Sequence, residues 1–465
     1  MRYFRYQTLP ELQQEAEHIG ARHVAFEPDA DKLKAALARP VRVGRHQVGN
    51  SIAIHPMEGC DGTADGRPGE LTARRYQRFA AGGAKLLWFE ATAVCEEGRA
   101  NTRQLWITED NRDDFARLLD QIHAAAGDGV LVPMQLTHSG RYSVPKRILG
   151  DHNPYVDARF GTPPDTPLIT DDELERLEDD YVRTAGLALQ AGFEAVDLKM
   201  THGYLLSELL GARTRPGRYG GALENRLRFP LNAIGKLRAA YGSRLLIAAR
   251  LGCFDSVPYA RDAASGSGVP AQFSTPYPHG FGVNPLNPLE EDLTEVFAAV
   301  AALRQAGVEL LNVSLGCPYY NPHVTRPFEK PDEGNYEEPE HPLLGVDRHF
   351  RIAGALQRRF PDLPMVGSGY SWLQRFAIHA GAANLLAGNI SFLGIGRGAL
   401  AYPDFARDAL EHGELQERRV CKTLTFCTYL MRQKHHPSGQ FPTGCPPFDK
   451  EVYGEIIKIA RATKK

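Results

Sequence analysis

Eight short runs rich in β-branched and apolar residues recur along the chain: SIAIHPM (51–57), KLLWFEATAV (85–94), VLVPMQLTH (130–138), AVDLKM (195–200), LLIAARL (245–251), LLNVSLG (310–316), PMVGSG (364–369) and FLGIGRG (392–398). They are continuously hydrophobic rather than alternating, the pattern of strands covered on both faces. Between them lie stretches with apolar positions at helical spacing, such as DDELERLEDDYVRTAGLALQA, ENRLRFPLNAIGKLRAAYG and LTEVFAAVAALRQAG. The last two end in glycine, a common helix stop. Eight β-α units in succession predict a parallel sheet, and eight is the number that closes an α/β (β/α)8 TIM barrel. The alternative, an open doubly wound sheet, lacks support from an early G-x-G-x-x-G. The barrel is expected over residues 49–405. Residues 1–48 form an N-terminal extension, and residues 406–465 a C-terminal one that packs on the barrel or on a partner subunit.

The connections are unequal. Long segments follow the third strand (139–170), the fifth (254–289) and the sixth (317–345). All three leave strand C-termini, the face on which barrels build active sites. They read as functional loops rather than surface insertions.

Composition narrows the function classes. The chain has 465 residues, 43% hydrophobic and 24% charged, with a formal net charge of −2. That balance is globular and gives no electrostatic footprint for nucleic acid or an anionic membrane. No apolar run approaches bilayer length, and MRYFRYQTLPELQQEAEHIG has no apolar core behind its basic residues. The seven cysteines are scattered, which fits free thiols in a reducing, cytoplasmic compartment.

Polar residues at the C-terminal tips of barrel strands need a reason, because the neighbouring inward positions are packed core. Glu58 follows the first strand, Gln135 and His138 lie on the third, Lys199, His202 and Tyr204 end the fourth, and Arg250 lies on the fifth. The seventh and eighth strands end instead in Gly367, Gly369, Gly394 and Gly396, with Arg397 beside the last. Glycines let backbone N–H groups approach a phosphate, an arginine supplies countercharge, and barrels frequently bind phosphate here. Gln135 can donate and accept at once, matching the alternating edge of a pyrimidine ring. Arg250 is suited to stabilise negative charge developing on that ring. A ligand with a phosphate tail and a flat polar head fits this layout. FMN has these features and supplies redox chemistry.

At these residues the chain resembles the Old Yellow Enzyme family, the FMN-dependent ene-reductases and NAD(P)H:flavin oxidoreductases. The most specific piece is THGYLLSELLGARTRPGRYGGALENRLRF, supported in order by HPM, EATAV, PMQLTHSGR and GIGRGALAYPDF. The resemblance implies a flavin met by the backbone of Pro56 and Met57, with Ala91 packed nearby and Gln135 on the pyrimidine edge. It puts Arg250 at the N1/O2 side and Gly369, Gly396 and Arg397 on the phosphate. In the family, hydride from NADPH or NADH reaches the β-carbon of an activated alkene through the flavin. A tyrosine, here Tyr204, gives the proton to the α-carbon, and its ordinary pKa of about 10 keeps it protonated at neutral pH.

Two positions depart from the family pattern. The usual pair that holds a substrate carbonyl is a histidine followed three residues later by histidine or asparagine. Here His202 matches the second, but Lys199 replaces the first. A lysine donates to an oxyanion with full charge yet lacks an imidazole's fixed direction. Glu58 stands where relatives commonly carry a cysteine or threonine that tunes the flavin. A bare carboxylate there would be repelled, so it must be protonated, turned away or paired. We therefore expect Glu58 and Lys199 to compensate each other. Lys199 as a structural ion pair with a nearby carboxylate, and Lys199 as a Schiff-base nucleophile, are the competing readings.

Cys421, Cys427 and Cys445 follow the barrel with C-x5-C spacing and then a seventeen-residue gap, and His435 and His436 lie between. That fits neither the short spacings of iron–sulfur clusters nor a common zinc pattern, so no metal is expected. The combined expectation is an FMN-dependent enzyme that takes hydride from NADPH or NADH and reduces the C=C bond of an α,β-unsaturated carbonyl. Its partners would be small molecules, with homo-oligomerisation left open. The alternatives are a flavin oxidoreductase acting on a non-enone substrate and a Lys199-dependent barrel lyase.

Overall fold

Each of the eight apolar runs forms a barrel strand. The computed structural model describes residues 4–463. The strands are β1 (Ile52–Ile54), β2 (Leu86–Leu87 and Phe89–Ala93, one strand interrupted at Trp88), β3 (Pro133–Thr137) and β4 (Ala195–Met200). They continue with β5 (Leu246–Gly252), β6 (Leu310–Ser314), β7 (Met365–Gly367) and β8 (Phe392–Ile395). All neighbours pair in parallel, and β8 returns to β1 through Leu393↔Ile52 and Ile395↔Ile54, which closes the (β/α)8 barrel. Every residue of these strands is buried, which explains their unbroken hydrophobic pattern.

The helical stretches form where expected, with one correction. The third-to-fourth crossover helix is Asp171–Gln190, capped by Thr170 and Glu173 in reciprocal hydrogen bonds. ENRLRFPLNAIGKLRAAYG divides into Leu223–Arg226 and Arg228–Tyr241. Pro230 lies in the first turn of the second helix, where its missing N–H is tolerated, but its ring does not allow the helix to run through from upstream.

The long connections carry structure of their own. The segment after β3 contains helix Pro154–Phe160, and the one after β5 folds as two antiparallel hairpins, Tyr259–Arg261 with Gly268–Pro270 and Val283–Asn284 with Asn287–Glu291. The segment after β6 contains the short helix Pro322–Thr325.

At the opposite end, hairpin Val41–Val43/His46–Val48 buries Val43 and Val48 against Trp88, Leu131, Ala195 and Phe392, closing the barrel's N-terminal mouth. The segment after the barrel packs against it. Arg74 and Arg78 both hold the Asp449 carboxylate, and Thr443 N–H donates to Gly59 O at 2.7 Å. Among the described residues, no helix is long and apolar enough to cross a membrane.

Candidate functional site

The C-terminal strand tips open into one cavity, with about 1280 Å³ of atom-free space when the open solvent at its mouth is included. Strand register assembles its floor. Gln135 of β3 stands opposite Asp197 of β4, and Lys199 of β4 opposite Arg250 of β5. Of the twelve residues expected in the site, eleven line this cavity: Pro56, Met57, Glu58, Gln135, Lys199, His202, Tyr204, Arg250, Gly369, Gly396 and Arg397. Ala91 does not; it lies buried in β2, and its carbonyl accepts from Gln104 Nε2 at 3.3 Å.

Lys199 and Glu58 meet directly, Nζ to Oε1 at 2.9 Å, with side chains only 4% and 13% exposed. The same carboxylate oxygen accepts the Tyr204 hydroxyl at 2.8 Å, and Lys199 Nζ lies 3.5 Å from the centre of the Tyr204 ring. Tyr319, from the segment after β6, brings its hydroxyl to 3.2 Å from that of Tyr204. Burial, reinforced by Glu58, raises the Tyr204 phenol well above its ordinary value. Burial also lowers the Lys199 ammonium, while Glu58 pulls it back up.

His202 lies just past β4 with φ 66°, a left-handed backbone that non-glycine residues rarely adopt, and Gly203 follows at φ 71°. The turn sets His202 Nε2 3.1 Å from Ser314 Oγ. Burial, with Arg250 and Lys199 nearby, holds the imidazole well below its usual value and therefore neutral.

Deeper in the barrel, Asp197 accepts from Gln135 Nε2 at 2.6 Å and from Trp88 Nε1 at 2.8 Å. Burial raises its pKa to about 6 against those hydrogen bonds. The contact directs the Gln135 amide N–H2 towards Asp197. Arg250 donates to Pro56 O at 3.4 Å, and its Nε is buried without a partner.

At the far end are Gly369, with φ 94°, Gly396 and Arg397. Gly394 has to be glycine: an added Cβ would lie 2.3 Å from Gly367 O and 2.4 Å from His55 Nε2. Arg397 Nη2 donates to the carbonyls of Arg326 and Pro327, each at 3.3 Å, and its Nη1 is buried without a partner.

Several residues that line or support the cavity escaped the sequence reading. Asp197 had a signal, a carboxylate inside an otherwise apolar strand. Tyr319, Arg326 and the C-terminal Cys427, Met431 and Arg432 come from connections with no motif. All seven cysteines are free thiols. His435 Nε2 bonds Ala460 O at 2.9 Å, and His436 Nδ1 accepts from Ser438 N–H at 3.0 Å.

The profile of the NADH:flavin oxidoreductase / NADH oxidase family matches residues 36–269. An NADH oxidase of Thermoanaerobacter brockii is 24% identical over 82% of this chain, which spans 51% of that protein's length. An NADPH dehydrogenase of Geobacillus sp. (strain WCH70) is 29% identical over 52% of this chain and 76% of its own. Among solved structures, the Old Yellow Enzyme homologue from Zymomonas mobilis superposes with a TM-score of 0.57 at 21% identity, covering 83% of this chain and 96% of its own. With half the chain matched by the family profile, this protein belongs to the NADH:flavin oxidoreductase / NADH oxidase family, whose cofactor is FMN and whose electron donors are reduced nicotinamide nucleotides.

Proposed function

We propose that the chain binds FMN in the strand-tip cavity, oxidises NADPH or NADH, and reduces the C=C bond of an α,β-unsaturated carbonyl with Tyr204 as proton donor. The observation that carries the reading is the distribution of unsatisfied donors along one cavity. Arg250 Nε and Arg397 Nη1 are buried without partners, and an unpaired buried donor costs about 1–3 kcal/mol unless a ligand takes it up. The residues fit FMN: Arg397 with the backbone of Gly369 and Gly396 suits the phosphate, and Gln135 the pyrimidine edge. Arg250 suits the side that becomes anionic, and Pro56 and Met57 supply backbone contacts. When bound, FMN supplies the two-electron relay between nicotinamide and acceptor.

The chain's own residues handle the proton and the carbonyl. Tyr204 keeps its proton at neutral pH because burial and Glu58 disfavour the phenolate. Its hydroxyl gives that proton to the acceptor's α-carbon and is re-supplied through the Tyr319 hydroxyl at 3.2 Å. Neutral His202, steadied by Ser314, holds the acceptor's carbonyl oxygen. Lys199, tied to Glu58, adds positive charge nearby with its position fixed by that pair. The lyase alternative has no support, since a Schiff base needs a free amine and Lys199 Nζ is held 2.9 Å from a carboxylate.

A second reading has one contact in its favour. The Tyr204 hydroxyl already donates to Glu58 at 2.8 Å, which suits an acceptor that is not an enone and leaves that bond intact.

Product analysis separates the two. FMN-loaded protein, NADPH or NADH, and cyclohex-2-enone are incubated anaerobically, for wild type and Tyr204→Phe. Our reading predicts cyclohexanone from wild type. In Tyr204→Phe, flavin reduction by the nicotinamide is unchanged, while alkene reduction falls roughly 10²–10⁴-fold, the usual worth of a general acid. Flavin reduction without saturation of any enone would favour the second reading, and full activity in Tyr204→Phe would remove the tyrosine's role.

A further inference from the structure

Arg326 leaves the segment after β6 and lines the same cavity as Arg397. Its Nε is buried with no hydrogen-bond partner. Among the described residues, no carboxylate lies within 4.0 Å of its guanidinium, whereas neighbouring Arg432 is held by Asp332 at 2.6 Å. Arg397 stands against the Arg326 backbone through the 3.3 Å bond to its carbonyl, and its own Nη1 is unpaired. Burial, then repulsion from Arg397 and Arg432, pushes the Arg326 pKa down to about 9. Two positive groups with spare N–H donors therefore share one wall, and among the described residues neither has a carboxylate within ion-pair distance. Such an arrangement is costly on its own, and a doubly charged anion resolves it.

We propose that Arg326 and Arg397 together form a two-arginine clamp for the phosphate of FMN. This rests on the FMN reading above and deepens it by adding a phosphate ligand from the segment after β6. A phosphate monoester has a second pKa of about 6 and is close to a dianion at neutral pH, so two guanidinium groups balance it. Guanidinium also offers paired donors in the plane that phosphate oxygens accept. Gly369 and Gly396 leave backbone room at the same end. Riboflavin has the same ring and no phosphate, so the clamp discriminates between the two flavins.

The test is a binding titration of the apoprotein with FMN and with riboflavin, followed by quenching of flavin fluorescence, for wild type, Arg326→Gln and Arg326→Lys. The clamp predicts that Arg326→Gln weakens FMN about 10–100-fold, as expected for loss of a charge-assisted contact. Riboflavin binding stays within about twofold of wild type, which also shows that the variant is folded. Arg326→Lys falls between, because it keeps the charge and loses the fork. If Arg326→Gln does not fold, Arg326→Lys decides, a selective loss of FMN supporting the clamp. Equal losses for both flavins, or no loss of FMN, overturn it. Wild type that binds neither flavin overturns the FMN reading itself.

Discussion

Lys199 illustrates what a buried charge requires at the scale of a residue. With its side chain 4% exposed, an ammonium at a strand tip needs a counter-charge built with it. Glu58 supplies one at 2.9 Å, from the loop that follows β1. The pair therefore has to be judged as a unit. Glu58→Gln should lower holoenzyme stability by on the order of 3 kcal/mol in denaturant unfolding, because it strands the lysine. The double variant Glu58→Gln/Lys199→Met should recover most of that loss. A single variant as stable as wild type would show that Lys199 is neutralised some other way. Both residues were legible because charge at a strand tip is anomalous by itself. Asp197 was not, although it orients Gln135 at 2.6 Å. Its role depends on the register that sets it beside Gln135 and on Trp88, which lies 109 residues away in the chain.

Among the elements, the barrel strands were the most legible, because burial on both faces writes a plain hydrophobic run. The interruption of β2 at Trp88 left no such mark, since Trp88 is as apolar and buried as its neighbours. The segment after the barrel was the least legible. It builds a small core of its own from Tyr429, Leu430, Phe441, Tyr453, Ile457 and Ala460. It also lends Cys427, Thr428, Met431, Arg432 and Thr443 to the cavity wall. Spacing of cysteines says nothing about such a role. The small core is sensitive to volume at Gly444, where an added Cβ would come within 2.1–2.3 Å of the Tyr453 ring. Gly444→Ala should therefore loosen residues 421–463 while the barrel stays folded. Limited proteolysis should cut within that segment and leave a barrel-sized fragment, and FMN affinity should fall several-fold, about 3–10-fold by the loss of wall contacts. Unchanged cleavage and unchanged affinity would mean that the segment neither depends on that core nor shapes the cavity.

For the whole molecule, one fold brings together groups that are far apart in sequence. The loop after β1 supplies Glu58, β4 carries Lys199 and leads to Tyr204, and Arg397 follows β8, so a single cavity spans the barrel mouth. The chain spans about half the length of the Thermoanaerobacter brockii NADH oxidase, and the family profile covers residues 36–269. Arg326 and the C-terminal wall lie beyond that profile, and their proposed roles rest on the geometry of the cavity.

The most direct test of the central claim is anaerobic stopped-flow spectroscopy of the FMN-loaded protein at about 450 nm, the band of the cofactor's oxidised ring. Mixing with NADPH or NADH should bleach the band in a single turnover. Arg250→Gln should slow that bleaching, because in the proposed site its guanidinium, whose Nε is buried without a partner, is the group that stabilises the reduced ring. Protein that binds FMN stoichiometrically yet keeps its colour with both nucleotides would contradict the account.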